Sequence, residues 1–133
     1  IAKGLSLRQT HSHSILARRV AEKMLSGHNY VITSIRHPAE AEYFRKLFPN
    51  FLLIYIDADP LIRFQRVKER FSPSFNYPSF LIIDQQSQAN DSTSGQQIIL
   101  CGKQADIHIL NNGTQTAFIA ELHKIFLRNS LQS

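Results

Sequence analysis

An unbroken apolar run from Phe51 to Ile56 is the feature that most constrains the fold of this chain. A strand with one wet face alternates apolar and polar residues, whereas a strand covered on both faces is apolar throughout. The run therefore predicts a buried strand in a parallel sheet with helices on both faces. Asp59 and Pro60 follow as a helix N-cap and a first-turn proline, which predicts a helix over residues 61–70.

The rest of the chain alternates strands and helices in the same manner. Residues 31–34 and 106–110 are predicted to be two further strands, and the second ends at the turn signal Asn111-Asn-Gly113. Predicted helices cover residues 15–25, 39–47, 79–88 and 96–103, and Thr114 caps a last one with Phe118, Ile119, Leu122, Ile125 and Phe126 on its buried side. The expected fold is a single α/β domain over residues 1–133.

Composition narrows the class of ligand. The 133 residues include 15 Lys+Arg and 10 Asp+Glu, a formal charge of +5 that fits an anionic ligand or simply a solvated basic surface. No run of five like charges supports nucleic-acid binding, and no apolar run near 18 residues supports a membrane span. The single cysteine, Cys101, favours packing in a reducing compartment, so we expect a cytoplasmic protein.

Two segments carry weak signals. Residues 71–95 contain a loop-like stretch and a polar, low-complexity stretch over 85–95, which together predict a mobile, lid-like region. His11 and His13 have a spacing that can chelate a metal, but no carboxylate or cysteine nearby completes a site. We therefore favour a solvated loop there, and we predict no metal site from protein ligands.

The polar residues of the stretch 30–40 lie where the predicted strand 31–34 stops. In open α/β sheets that strand-end crevice is where ligands bind, so Thr33, Arg36, His37 and Glu40 are candidate substrate-binding residues. Arg36 and His37 suit an anion site with a base close by. The alternative for His37 is an ordinary N-cap or turn residue.

Three arginines share one narrow arc of the helix after Asp59. Arg63, Arg66 and Arg70 are spaced i, i+3 and i+7, and clustered guanidiniums suit a polyphosphate because each offers forked donors and a fixed charge. The alternative is a solvated face that pairs with Glu69 and Asp59.

Several blocks of the sequence together resemble one family. The segment VITSIRHPAEAEYFR (residues 31–45) resembles the V-I-D-x-I-R-x-P-A-E-x-E segment of P-loop kinases of the nucleotide and dephospho-coenzyme A kinase type. The segment LIYIDADPLIRFQRVKER (residues 53–70) is similar to their next strand and the helix leading into their lid. Residues 96–97, 105–106 and 111–114 resemble their closing segment, and the kinase-like half of anti-phage deoxycytidylate deaminases is similar too.

The resemblance implies roles for particular residues. Arg66 and Arg70 would be catalytic, lid-side arginines that face the transferred phosphates, with Arg63 beside them as a nucleotide-binding residue. Asn112, Gly113 and Thr114 would form the loop against the adenine base. Arg36 and Glu40 would line the phosphoryl-acceptor side, and ATP with Mg²⁺ would be the cofactors.

The sequence departs from the family at two points. It contains no G-x-x-x-x-G-K-[ST] phosphate loop, and Thr33 stands where the family has an aspartate. The chain could be part of a longer kinase-like protein or a catalytically inactive relative, or residues 1–10 could supply a makeshift central strand. We predict a nucleotide-binding, kinase-like domain that does not catalyse phosphotransfer in this form.

The alternative is a non-catalytic regulatory or interaction module that binds a nucleotide or a protein partner. The expected partners are a nucleotide or a phosphorylated small molecule, with a second copy of the chain as a further candidate.

Overall fold

The computed structural model describes residues 2–71, 76–88 and 96–130, which form a mixed, mostly helical α/β arrangement. In chain order its elements are α1 (Ala2–Thr10), α2 (Ile15–Ala21), α3 (Pro38–Leu47), β1 (Ile54–Asp57), α4 (Pro60–Phe71), α5 (Tyr77–Gln88), α6 (Ile98–Lys103), β2 (Ile107–Leu110) and α7 (Gln115–Ser130). Over these ranges, no helix is both long and apolar enough to cross a membrane.

Within the described ranges the sheet consists of β1 and β2, which pair in parallel with Ile54 opposite Ile107 and Asp57 opposite Leu110. The prediction of a parallel sheet is confirmed, but the sheet is smaller than expected. Ile109 is buried, whereas Ile56 in the middle of β1 keeps 48% of its surface exposed. The expectation that the run 51–56 is covered on both faces is therefore wrong at Ile56.

The predicted strand over residues 31–34 is also wrong, because residues 28–36 have no regular secondary structure. Val31 is 80% exposed, so its apolar side chain is not packed into a core as a central strand would require. Ser34 has a φ of 66°, a left-handed conformation that interrupts an extended chain. A strand also needs a neighbour for its backbone hydrogen bonds, and β1 pairs only with β2 among the described residues.

The N-terminal residues form a helix, so the idea that residues 1–10 supply a strand is wrong. α1 packs on α2, and α2 packs on α3. α2 ends at Ala21 rather than Leu25, and Gly27 takes a φ of 78° in the turn that follows, a conformation that suits glycine. Ser14 precedes α2 and makes no side-chain capping bond.

Two aromatic clusters form much of the packing. Phe44 of α3 is almost fully buried and stacks with Phe48 and Phe51, at ring-centroid distances of 6.3 and 5.8 Å. Phe64 of α4 packs at 5.6 Å from Phe80 of α5. Packing these rings together removes apolar surface from water, and each Å² of buried apolar surface stabilises the fold by roughly 25 cal/mol.

An ion pair fixes α3 to the start of both strands. Arg45 donates from both terminal nitrogens to Asp106, at 3.0 and 3.1 Å, and the Leu53 N–H donates to the same carboxylate at 2.8 Å. Burial acts to raise the pKa of the Asp106 carboxyl, but the hydrogen bonds from Arg45 and Leu53 outweigh it and lower that pKa. The carboxylate is thus held in its charged form.

The last helix is less buried than predicted. Thr114 caps it as expected, accepting from the Ala117 N–H at 3.2 Å, and Ile125 is buried. Ile119 and Phe126, predicted on the buried side, are exposed.

In the predicted lid-like region, residues 85–88 of the expected mobile stretch belong to helix α5. Residues 72–75 and 89–95 of that region lie outside the described residues.

Candidate functional site

The carboxyl ends of β1 and β2 are joined by a reciprocal pair of hydrogen bonds. The Asp59 N–H donates to Asn112 Oδ1 at 2.9 Å, and Asn112 Nδ2 donates to Asp59 Oδ2 at 2.8 Å. The Asn111 N–H donates to the Asp57 carbonyl at 2.7 Å. This exchange holds the loop after β2 against the loop after β1 in one fixed arrangement.

Arg66 holds the same loop from α4. Its guanidinium donates to the carbonyls of Asn111 and Gly113, at 2.8 and 3.0 Å. A cavity of about 330 Å³ lies beside this loop, lined by residues that include Asn111, Gly113 and Phe118. Arg66 therefore positions the loop that the resemblance assigns to an adenine base.

The other two arginines of the α4 arc have different surroundings. Arg63 donates to Asp57 Oδ1 at 2.8 Å and to Asp84 Oδ2 of α5 at 2.6 Å, so two carboxylates compensate its charge. Arg70 is exposed at the end of α4. The shared arc in sequence therefore hides different surroundings: Arg63 lies in an ion-pair network, Arg66 contacts loop carbonyls, and the side chain of Arg70 is exposed.

A second group of predicted site residues lies at the start of α3. His37 is the N-cap, and its Nδ1 accepts from the Ala39 N–H at 3.2 Å. Glu40 Oε2 accepts from the backbone N–H groups of Arg36 and His37, at 3.0 and 3.3 Å, which completes a capping box. The N-cap interpretation of His37 is confirmed.

Arg8 is a member of this group that sequence reasoning missed. Its Nη1 donates to Glu40 Oε1 at 3.0 Å, and both residues are at most 5% exposed. Nothing in the sequence pairs positions 8 and 40, because the contact depends on α1 folding back onto α3. His13, expected in a solvated loop, also reaches this group, since its ring centroid lies 4.7 Å from that of His37.

Arg8, Arg36 and Glu40 border a cavity of about 250 Å³ between α1, α2, α3 and the segment 32–36, whereas His13 and His37 do not line it. Apolar walls come from residues that include Leu16, Val20 and Phe44, and polar groups come from Arg8, Thr33, Ser34, Arg36, Glu40 and Gln96. Gln96, which was predicted as part of a helix and of the segment resembling the family's closing segment, lies just before α6 and is buried. A mostly apolar cavity with a few polar groups is the usual form of a small-molecule site.

The predicted site residues thus fall into two networks rather than one crevice. Arg63, Arg66, Asn112, Gly113 and Thr114 belong to the strand-end network, and Thr33, Arg36, His37 and Glu40 belong to the α3 network. Cys101 is buried behind the second group, and desolvation with help from the Glu40 charge raises the pKa of its thiol to about 11. The described part of the chain contains no cluster of three or more His, Cys, Asp or Glu residues that could hold a metal.

The chain is similar to a distant relative among known proteins. Over 66 residues the chain is 32% identical to a UPF0200 protein of Methanothermobacter thermautotrophicus, an alignment that covers 48% of this chain and 35% of that protein. The chain thus spans about a third of the length of the relative it matches. No family model matches the chain, and no solved structure matches it either.

Proposed function

We propose that this chain belongs to a P-loop-kinase-like domain and binds a nucleotide at the carboxyl ends of β1 and β2. The base would lie against residues 111–113, and the phosphates would face Arg66 and Arg70. The observation that carries this proposal is the preorganised loop, fixed by the Asp59–Asn112 exchange and by Arg66. Loops at the carboxyl ends of parallel strands are the usual ligand site of such sheets.

The proposal assigns binding and not phosphoryl transfer to these 133 residues. They contain neither a phosphate loop nor the expected aspartate at position 33. Asp57, the carboxylate at the end of β1, is engaged by Arg63 and by the Ala58 N–H at 2.7 Å. Any Mg²⁺ would therefore arrive with the phosphates of the nucleotide, because the described residues do not supply a ligand set for it.

Calorimetric titration of ATP into the protein tests the binding proposal. Arg70→Ala should weaken binding by about tenfold, which is the loss of one charge-assisted hydrogen bond to phosphate. Arg128→Ala on α7 is the matched control, since Arg128 is also an exposed helical arginine. Arg66 is a poorer target, because its replacement would also release the loop that it holds.

Two results would contradict the proposal. If ATP, dATP and dCTP produce neither heat nor chemical-shift changes, the proposal that the chain binds a nucleotide is wrong. If a coupled assay shows ATP-dependent phosphorylation of a deoxynucleotide or of dephospho-coenzyme A, the proposal that this form lacks transferase activity is wrong.

A non-catalytic interaction module is the second candidate, favoured by exposed apolar residues on two helices that contact each other. Ile82 and Ile83 of α5 and Ile99 and Leu100 of α6 are exposed, and the two helices contact each other. Clustered exposed apolar residues are typical of protein-binding surfaces. Light scattering tests self-association here: a dimer that Ile83→Lys converts to a monomer supports this candidate, and a monomer at all concentrations argues against a homodimer.

A further inference from the structure

The outer edge of β2 has no neighbouring strand within the described ranges. The N–H groups of Ile107 and Asn111 donate to the carbonyls of residues 53 and 57, at 3.3 and 2.7 Å, so these residues face β1. The backbone groups of successive strand residues point to opposite edges of the strand. His108 and Leu110 therefore direct their N–H and C=O groups away from β1, toward the unpaired edge.

This edge lacks the features that normally keep an exposed strand from pairing. Proteins place lysine, proline or other interrupting residues on edge strands, or they cover the edge. β2 has the sequence Ile-His-Ile-Leu, without a proline, a lysine or a carboxylate, and Leu110 at its end is 65% exposed. A sheet of two strands also gains stability when further strands join it. The edge is therefore well suited to accept another strand.

Space for another strand lies beside the edge. The cavity of about 330 Å³ is bounded by residues 108–110 of β2 and by Ala117, Phe118 and Glu121 of α7. None of the described residues of β1 borders this cavity, which indicates that it lies on the outer side of β2. α7 thus leaves the edge open instead of covering it.

The amount of accessible surface indicates that the chain has an interface to cover. The chain keeps 9589 Å² of accessible surface at a mass of 15.2 kDa. A compact monomer of this mass exposes about 7,100 Å², and a stable protein–protein interface covers about 800 Å² on each partner. The surface in excess of a compact monomer is therefore large enough for a stable dimer.

We propose that a second copy of the chain pairs with this edge, with the two β2 strands antiparallel around a two-fold axis at Ile109. His108 of each copy then lies opposite Leu110 of the other, and each of these pairs exchanges both of its N–H···O bonds. A two-fold interface uses the same patch on both partners, and identical strands meet this requirement. The dimer has a continuous sheet in the order β1-β2-β2-β1. This inference does not depend on nucleotide binding.

Sedimentation velocity of the full chain across a concentration series tests the proposal. The wild type should form a dimer, and Leu110→Lys should weaken it by about tenfold or more, because a lysine on an edge strand opposes pairing. Leu127→Lys on α7 is the matched control, since Leu127 is exposed to the same extent, at 66%, and should leave the dimer intact.

Hydrogen exchange of single amides gives a second measurement that needs no substitution. In the dimer, the amide hydrogens of His108 and Leu110 should exchange about tenfold or more slowly than in the diluted monomer, because the partner strand then bonds them. The Ile109 amide hydrogen, which faces β1, is the internal control and should be protected in both states.

Three results would overturn the proposal. These are a chain that is monomeric at every concentration, a dimer with the same affinity in Leu110→Lys, and unchanged exchange of the His108 and Leu110 amides on dimerisation. A dimer that only Ile83→Lys dissociates belongs to the second of these cases and assigns the contact to α5 and α6. ATP binding by a chain that never dimerises would retain the proposed nucleotide site and exclude this interface.

Discussion

Arg8 and Glu40 form a buried ion pair across 32 residues of sequence, with Nη1 and Oε1 3.0 Å apart. The same carboxylate closes the capping box of α3, so one side chain joins α1 to the helix start. Removing one partner of a buried pair leaves an uncompensated charge, which costs about 3–5 kcal/mol. Arg8→Met should therefore lower the free energy of unfolding by roughly this amount in a urea titration.

The matched double variant separates the pair from its surroundings. The double variant Arg8→Met with Glu40→Gln should lose less free energy of unfolding than the two single variants lose in sum. In the double variant neither position carries a buried charge that lacks its partner. Additive losses would show that the two side chains contribute independently.

His37 gives a prediction about the start of α3. Its Nδ1 accepts from the Ala39 N–H, so His37→Ala should destabilise the protein by about 1 kcal/mol, the usual loss when an N-cap acceptor is removed. His37→Asn keeps a side-chain acceptor and should retain most of the stability. Thermal denaturation of the two variants distinguishes them, and equal melting temperatures would contradict a capping role.

Cys101 gives a prediction about reactivity. Burial raises the pKa of its thiol to about 11, and the thiolate is the reactive form, so the folded protein should react slowly with Ellman's reagent at neutral pH. The reaction should become fast in denaturant, where the chain exposes its single cysteine. Rapid labelling of the folded protein would show that the thiol is open to solvent.

The lowered pKa of Asp106 gives a prediction about how stability changes in acid. Its folded pKa is below the ordinary value of 3.8, so the stabilisation is complete above that value and is lost as the pH falls through the folded pKa. Asp106→Asn should flatten the fall in stability below about pH 4 and lower stability at neutral pH. Glu121→Gln, which alters an exposed i,i+3 pair with Lys124, is the control and should change the profile little.

Local signals in the sequence predicted much of the fold. Pro60 marked the start of α4, and Thr114 marked the cap of α7, because these signals depend on neighbouring residues. The strand over residues 31–34 failed for a non-local reason. A segment forms a strand only when a neighbouring strand accepts and donates its backbone hydrogen bonds, and among the described residues no strand pairs with residues 31–34.

The candidate site was predictable only in part. The N-cap interpretation of His37 was one of two alternatives that its position before a predicted helix left open, and the loop over residues 111–113 followed from its turn signal. Arg8 and Gln96 line the cavity between α1, α2 and α3 although they are distant from each other in the sequence. No short-range sequence pattern predicts such contacts. The separate surroundings of Arg63 and Arg66 also depend on tertiary partners, here Asp84 and the carbonyl of Gly113.

The parallel pairing of β1 with β2 has a consequence for the order of folding. Leu53 and Asp106, which are hydrogen-bonded where the strands begin, are 53 residues apart, so β1 and β2 pair only after the segment that contains α4, α5 and α6 has been synthesised. Contacts among α1, α2 and α3 span shorter distances and can form sooner, since long-range pairing slows folding. During synthesis the apolar run 51–56 therefore emerges well before β2, and a strand that has not yet met its partner favours aggregation.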